Sequence, residues 1–263
     1  MRSQVKQLIL LAWCLLLVSC AALPAFQEIS PQENSEVRRR FKEMVALQAE
    51  CRCCLDGSAH ISLRNVVYSG AVSGFLQAMS PSFLKFVGVN PLGQPLAVFT
   101  ADGSTFRYVA IPEGTVYTGQ MDSETFVKYT PEGFIPTLSY YWLIGRLQPG
   151  PVQLTSVRRD ETMAYWVELD YKNGKKALVL FDPEALQVRR HIVFNSAGER
   201  ILNIHYDRYG PEKCDVPRHI IITSLRLDST MEIRLDDLSD DAALSPQDFD
   251  YVPPDSFDEV VVE

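Results

Sequence analysis

The chain has 263 residues, 46% of them hydrophobic and 22% charged, with a formal net charge of −8. That composition supports a packed core and excludes a disordered chain, a collagen and a coreless disulfide mini-protein. The acidic balance, with no local basic face, argues against a nucleic-acid partner.

Met1 to Cys20 reads as an export signal. Arg2 and Lys6 form a positive n-region, and Leu8 to Val18 is an apolar h-region too short to span a bilayer. Its end, Leu17-Val18-Ser19-Cys20, is similar to the lipobox of bacterial lipoproteins. By that resemblance residues 1–19 are a lipoprotein signal peptide, and Cys20 receives a diacylglycerol on its thiol and an acyl chain on its new amine. Two or three chains anchor a protein firmly, at about 0.8 kcal/mol per buried CH₂, where one does not. The next residue is Ala21 and not Asp. By resemblance to the known sorting preference, this favours the outer membrane, with the protein lipid-anchored on its periplasmic face. Residues 20–34, containing Pro24 and Pro31, read as a lipidated tether.

A helix is predicted over Ser35–Gln48, with Val37, Phe41, Met44, Val45 and Gln48 on one side. Arg38, Arg39, Arg40 and Lys42 lie largely elsewhere and read as a solvated face, the alternative being contact with anionic headgroups near the anchor. From Leu55 the pattern changes to short alternating runs. Strands are predicted at 55–64, 66–77, 82–89, 96–101, 104–111 and 114–118, then at 153–159, 162–171, 175–182, 186–194, 199–207, 218–227 and 230–236. Asp102-Gly103, Asn173-Gly174 and Ala197-Gly198 sit between runs, where tight hairpins need positive φ. The gaps leave no room for crossover helices, so the sheet is expected to be an antiparallel meander.

The interruption at 122–150 carries helices. Asp122 and Ser123 can cap a short one through Tyr129. Thr137 to Gly145 is apolar nearly all round, so it must be buried on more than one side, most simply against the concave face of a curved sheet. The stretch from Asp236 to Glu263 holds ten acidic residues and no basic one. Phe249, Tyr251, Val252, Pro253 and Pro254 interrupt it, which predicts an extended segment tucked against the sheet edge.

No enzyme signature is present: there is no Gly-x-Ser-x-Gly elbow, no phosphate-binding loop and no His-Glu-x-x-His pair, so neither catalysis nor a cofactor is expected. His205 and His219 would face each other if their hairpin were centred near residue 212, but no third metal ligand accompanies them. Cys51, Cys53, Cys54 and Cys214 are an even set in an oxidising compartment. They read as one or two disulfides or as buried thiols, with one bridge from the cluster to Cys214 joining the first strand to a late loop. Metal or redox chemistry is the rival reading. Asn90-Pro91-Leu92-Gly93 is turn chemistry with a large aliphatic residue at its tip. Leu92 either folds back onto the sheet or inserts into something apolar.

Three features in order resemble the LolB family of outer-membrane lipoprotein receptors, within the LolA–LolB lipoprotein carrier superfamily. They are the lipobox ending at Cys20, the segment Phe83 to Gly93 with its Asn-Pro-Leu-Gly loop, and Ile135-Pro136-Thr137-Leu138 leading into Tyr141-Trp142-Leu143-Ile144-Gly145. Phe249-x-Tyr-Val-Pro-Pro also looks like the last strand of the LolA carriers. The Pro-to-Leu spacing, the order Trp-Leu-Ile-Gly, the cysteine cluster, the acidic tail and the greater length depart from the family and suggest a diverged member.

The resemblance implies a mainly β fold over residues 35–263, an unclosed antiparallel β-barrel of about 11–13 strands with short helices as a lid over an apolar cavity. It implies that Leu92, flanked by Pro91 and Gly93, serves membrane insertion. Phe134, Leu138, Tyr141, Trp142 and Leu143 would form the lid and cavity lining, the alternative being plain core packing. The implied partners of this monomer are acylated lipoproteins, a periplasmic LolA-like carrier and outer-membrane lipid. Two rivals are a structural or assembly lipoprotein that holds a protein partner on the same sheet, and a redox protein using the four cysteines.

Overall fold

The computed structural model describes residues 23–51, 54–65, 69–129, 136–147, 153–171, 176–210, 214–224, 228–239 and 243–263. Cys20, Cys53, Phe134 and the Asn173-Gly174 turn lie outside the described residues. All thirteen expected strands form, as β2 (Cys54–Arg64), β3 (Ser69–Met79), β4 (Phe83–Val89), β5 (Pro95–Ala101), β6 (Thr105–Ala110), β7 (Thr115–Gln120), β8 (Gln153–Asp160), β9 (Tyr165–Asp170), β10 (Lys176–Asp182), β11 (Gln187–Phe194), β12 (Arg200–Tyr209), β13 (Pro217–Ser224) and β14 (Ser229–Asp236). Two more were not expected: β1 (Phe26–Gln27) and β15 (Asp258–Val262). The helices are α1 (Pro31–Glu50), α2 (Glu124–Tyr129) and α3 (Ser139–Leu143), the last preceded by a 3₁₀ turn, Pro136–Leu138.

The strands make one sheet in the order β1-β8-β9-β10-β11-β12-β13-β14-β2-β3-β4-β5-β6-β7-β15. The later half of the chain is therefore joined to the earlier half at β14 and β2, in register from Thr230 opposite Arg64 to Asp236 opposite Ser58. The meander is antiparallel except at one edge, where β15 runs parallel to β7.

The main core contains buried side chains from nine neighbouring strands, β8 through β14 and then β2 and β3, together with α1, α3 and Leu147. Laid flat, nine strands would span roughly 40 Å, several times the ~10–12 Å width of a helix. One core can touch them all only because the sheet wraps around it. Backbones approach closely where Gly74 of β3 pairs with Gly88 of β4, since a Cβ on Gly74 would collide with the Val87 carbonyl oxygen.

α1 starts four residues earlier than the sequence pattern suggested. Ser30 caps it, accepting from the Glu33 amide at 3.2 Å, and Pro31 opens its first turn. Part of the segment expected to be a tether is thus helix, and Phe26–Gln27 pairs with Asp160 and Arg159 of β8. Packing explains the strand: Phe26 sits edge-on to Trp166 and under the Arg158 guanidinium.

The arginine triplet is not a uniformly solvated face. Arg38 donates to the carbonyls of Leu154 and Thr155, and Arg40 donates to that of Pro183. These bonds staple α1 across the sheet, while Arg39 alone stays in solvent, paired with Glu36 and Glu43.

The acidic C-terminal stretch covers the outer face of β4 to β7 before it reaches the edge. Phe249 is buried against Phe83, Lys85 Nζ donates to the Asp248 carbonyl at 2.6 Å, and Arg107 donates to that of Tyr251 at 2.9 Å. Tyr251 and Phe257 pack on Val98, Val109 and Val116. The aromatic residues in the acidic run are what hold it down.

Candidate functional site on the inner face

α3 sits inside the half-barrel. Its five residues, Ser139 to Leu143, are all buried, and Leu138, Tyr141, Trp142 and Leu143 belong to the main core. The helix is too short to sustain itself and its N-terminus has no side-chain cap, so burial of its side chains holds it in place. Trp142 stands edge-on over His191 of β11, with ring centroids 6.1 Å apart. Tyr141 shares a hydrogen bond with Ser80 at 3.1 Å. The chain beyond α3 is pinned by Arg146, which donates to the Cys214 carbonyl at 2.7 Å, and by the Leu147 amide, which donates to Gln48 of α1 at 3.2 Å. The four described lid residues are therefore seated in the core, on the sheet, in this conformation.

Beyond the seated segment the inner face is apolar and partly open. Phe86 of β4 pairs with Phe99 of β5, Phe99 with Tyr108 of β6, Tyr108 with Tyr117 of β7, and Tyr117 with Val260 of β15. Directly opposed residues share a face, so these five make one row across five strands. The row continues the core, since Phe86 packs against the main cluster. Its far end is exposed, at 40% for Tyr108 and 42% for Val260. Sequence reasoning missed this row. Each residue was visible as an inward position of its own strand, but their alignment depends on register between strands.

The hairpin that carries Phe86 and Phe99 also carries the Asn-Pro-Leu-Gly tip. Leu92 is 84% exposed, and Pro91 and Gly93 are exposed beside it. The tip is rigid because Asn90 organises it: its side-chain oxygen accepts from the amides of Leu92 and Gln94, at 2.9 and 3.0 Å, and its amide nitrogen donates to Gln94. Gly93, at φ 79°, closes the turn by donating to the Asn90 carbonyl at 2.9 Å. Leu92 is thus held outward on a built turn and does not fold back.

The structure joins Cys51 to Cys214 across 163 residues of sequence. Cys51 lies at the C-terminal end of α1, so the bridge ties a helix, and not the first strand, to the late loop. The disulfide, Cys54, Tyr140 and Arg146 line a cavity of about 390 Å³. A second cavity, of about 580 Å³, lies between the sheet and the C-terminal segment, where Arg107 faces Gln247 and Glu259.

The expected histidine pair does not form. Register places His205 opposite Ile221 and His219 opposite Asp207, because the hairpin is centred on residue 213, one residue from the point that would have paired them. His219 instead bonds Glu232 of β14 at 2.8 Å. Among the described residues no three His, Cys, Asp or Glu side chains come together as a metal site, and no helix is long and apolar enough to cross a membrane.

No protein-family model matches the sequence, and no curated protein is similar to it by sequence. Solved structures share its fold. A DUF1329 family protein from Desulfovibrio piger aligns with a TM-score of 0.59 at 12% identity, covering 82% of this chain and 98% of its own. A LolA superfamily protein from Nitrosomonas europaea aligns with a TM-score of 0.55 at 10% identity, over 80% and 97% of the two chains. A putative outer membrane lipoprotein-sorting protein domain from Vibrio parahaemolyticus gives 0.55 at 12% identity, over 84% and 97%. The fold is that of LolA-superfamily and lipoprotein-sorting structures, and the likeness does not single out the LolB branch.

Proposed function

We propose that this is a non-enzymatic, lipid-anchored protein on the periplasmic face of the outer membrane that binds the acyl chains of client lipoproteins and helps insert them into that membrane. The observation that carries the reading is the open aromatic row on the inner face, whose first two members stand on the hairpin that holds Leu92 outward. An acyl chain laid along Phe86, Phe99, Tyr108 and Tyr117 is removed from water next to the residue best placed to enter a bilayer. Transfer from a soluble LolA-like carrier needs no nucleotide, because chain burial at about 0.8 kcal/mol per CH₂ makes a small difference in coverage directional. The acidic surface suits a carrier with a basic face and raises the rate of encounter.

The packed state of Trp142 and Leu143 favours a second reading, in which the sheet is a filled scaffold that holds a protein partner. Titrating residues 21–263, which contain every described element, with a lipoprotein peptide and its unacylated twin separates the two. Saturable binding that requires the acyl chains is expected. Equal binding of both peptides, or binding of neither, sinks the acyl-transfer reading and leaves the scaffold.

A further inference from the structure

Among the buried polar atoms of the inner face without a hydrogen-bond partner, Ser224 Oγ included, are His191 Nδ1 and the Tyr206 hydroxyl. Their strands are neighbours. Ile204 of β12 pairs with His191, and Tyr206 follows Ile204 by two positions on the same face. Both residues are almost fully buried, at 1% and 4% exposure. Tyr171 adds a third polar group: its hydroxyl bonds His191 Nε2 at 3.2 Å. Together they form a polar nest in an otherwise aliphatic wall, roofed by Trp142.

Burial keeps His191 neutral, with its pKa lowered to about 4. In the tautomer in which the Tyr171 hydroxyl donates to Nε2, the one the inference uses, Nδ1 carries the ring proton and is a donor. The Tyr206 hydroxyl is a second donor. An unpaired buried donor costs stability that a leucine or phenylalanine would avoid, so two on one wall need a use. The roof is the five-residue α3, whose side chains are all buried and whose Tyr141 shares a hydrogen bond with Ser80.

Resting on the reading that this face takes acyl chains, we infer that His191 and Tyr206 recognise the carbonyl that joins such a chain to its headgroup. When α3 is displaced, the carbonyl oxygen of a long-chain ester enters where Trp142 stood and accepts from His191 Nδ1–H and Tyr206 O–H. The aliphatic wall and the aromatic row take the hydrocarbon. The nest selects acyl over alkyl lipids, which burial of hydrocarbon cannot do.

The test uses residues 21–263 and two probes of equal chain length, a diacylglyceryl-cysteine peptide and its dialkyl ether counterpart. Wild type is expected to bind the ester about tenfold more tightly, the factor of roughly one hydrogen bond. Tyr206→Phe is expected to narrow that preference, leaving His191 as the one donor, and to unfold no earlier than wild type, because the hydroxyl has no partner to lose. Diacyl phosphatidylethanolamine as competitor assigns the ester to phospholipid as well if it displaces the peptide, and to lipoprotein alone if it does not. Equal binding of ester and ether by wild type overturns the inference and leaves the acyl-chain reading standing, and so decides the matter even where a variant fails to fold. A preference undiminished in Tyr206→Phe removes Tyr206 from the site. Binding of neither probe overturns both.

Discussion

Gly74 and Gly88 stand opposite each other on β3 and β4, and neither position has room for a methyl group. At Gly74 it would strike the Val87 carbonyl, and at Gly88 it would come within 2.9 Å of Val72 Cγ2. The two contacts differ in kind, because a side chain can shift and a backbone carbonyl inside a ladder cannot. Gly74→Ala is therefore expected to cost about 3 kcal/mol, at the upper end of overpacking substitutions, and Gly88→Ala distinctly less. Urea unfolding of the two variants checks the order, and a Gly74→Ala midpoint equal to wild type would show that the close approach tolerates a side chain.

Leu92→Glu is expected to leave the unfolding midpoint within about 0.5 kcal/mol of wild type, as for other exposed loop positions, and to impair delivery of a lipoprotein to vesicles. Asn90→Ala removes the side chain that fixes the tip and should impair delivery with Leu92 intact. A Leu92→Glu protein that delivers normally would separate the exposed leucine from function.

The disulfide closes a long loop, and chain entropy assigns such closures about 5 kcal/mol at most. Cys51→Ser is expected to lower stability by roughly 4 kcal/mol and to speed hydrogen exchange between Leu138 and Leu147, since Cys214 accepts from Arg146 beyond α3. Unchanged exchange in that segment would mean that the bridge braces α1 alone.

Stability should fall on mild acidification. His191 has a folded pKa of about 4 against an ordinary value of 6.5. Between those values the unfolded chain binds a proton that the folded one excludes. The contribution is full above pH 6.5 and is lost as pH falls towards 4, by about 3 kcal/mol in total. Unfolding free energies at pH 7.5 and pH 4.5 measure it, and His191→Leu should flatten the difference. A slope that persists in that variant assigns it to other groups.

The strands were legible because each alternates over its own length, from Cys54 to Asp236, and the turn glycines mark their ends. β15 was hidden: three consecutive valines after Asp258-Glu259 give no alternation, and its partner β7 lies far away in sequence. β1 is two residues long and exists because Phe26 finds Trp166, a contact no local pattern encodes. The start of α1 was within reach, since Ser30-Pro31 with Glu33 is an N-terminal signature that the prolines of the assumed tether masked. At the site, the apolar run around Trp142 and the tip leucine could be picked out from residue type alone. The aromatic row could not, because Phe86, Phe99, Tyr108 and Tyr117 meet only through three successive registers, and the polar nest depends on strands β11 and β12 lying under α3.

The bridge from Cys51 to Cys214 also decides how the molecule bears load. Under the proposed N-terminal anchoring, load enters the protein along α1. Force entering along α1 and leaving beyond Cys214 passes from one sulfur to the other, so the residues between them form a covalent bight that such a pull does not load. Phe86, Phe99, Tyr108, Tyr117, Trp142 and His191 all lie within that bight. Traction that peels β1 and unwinds α1 stops at the sulfur link, and the strands inside the bight keep their arrangement under that pull.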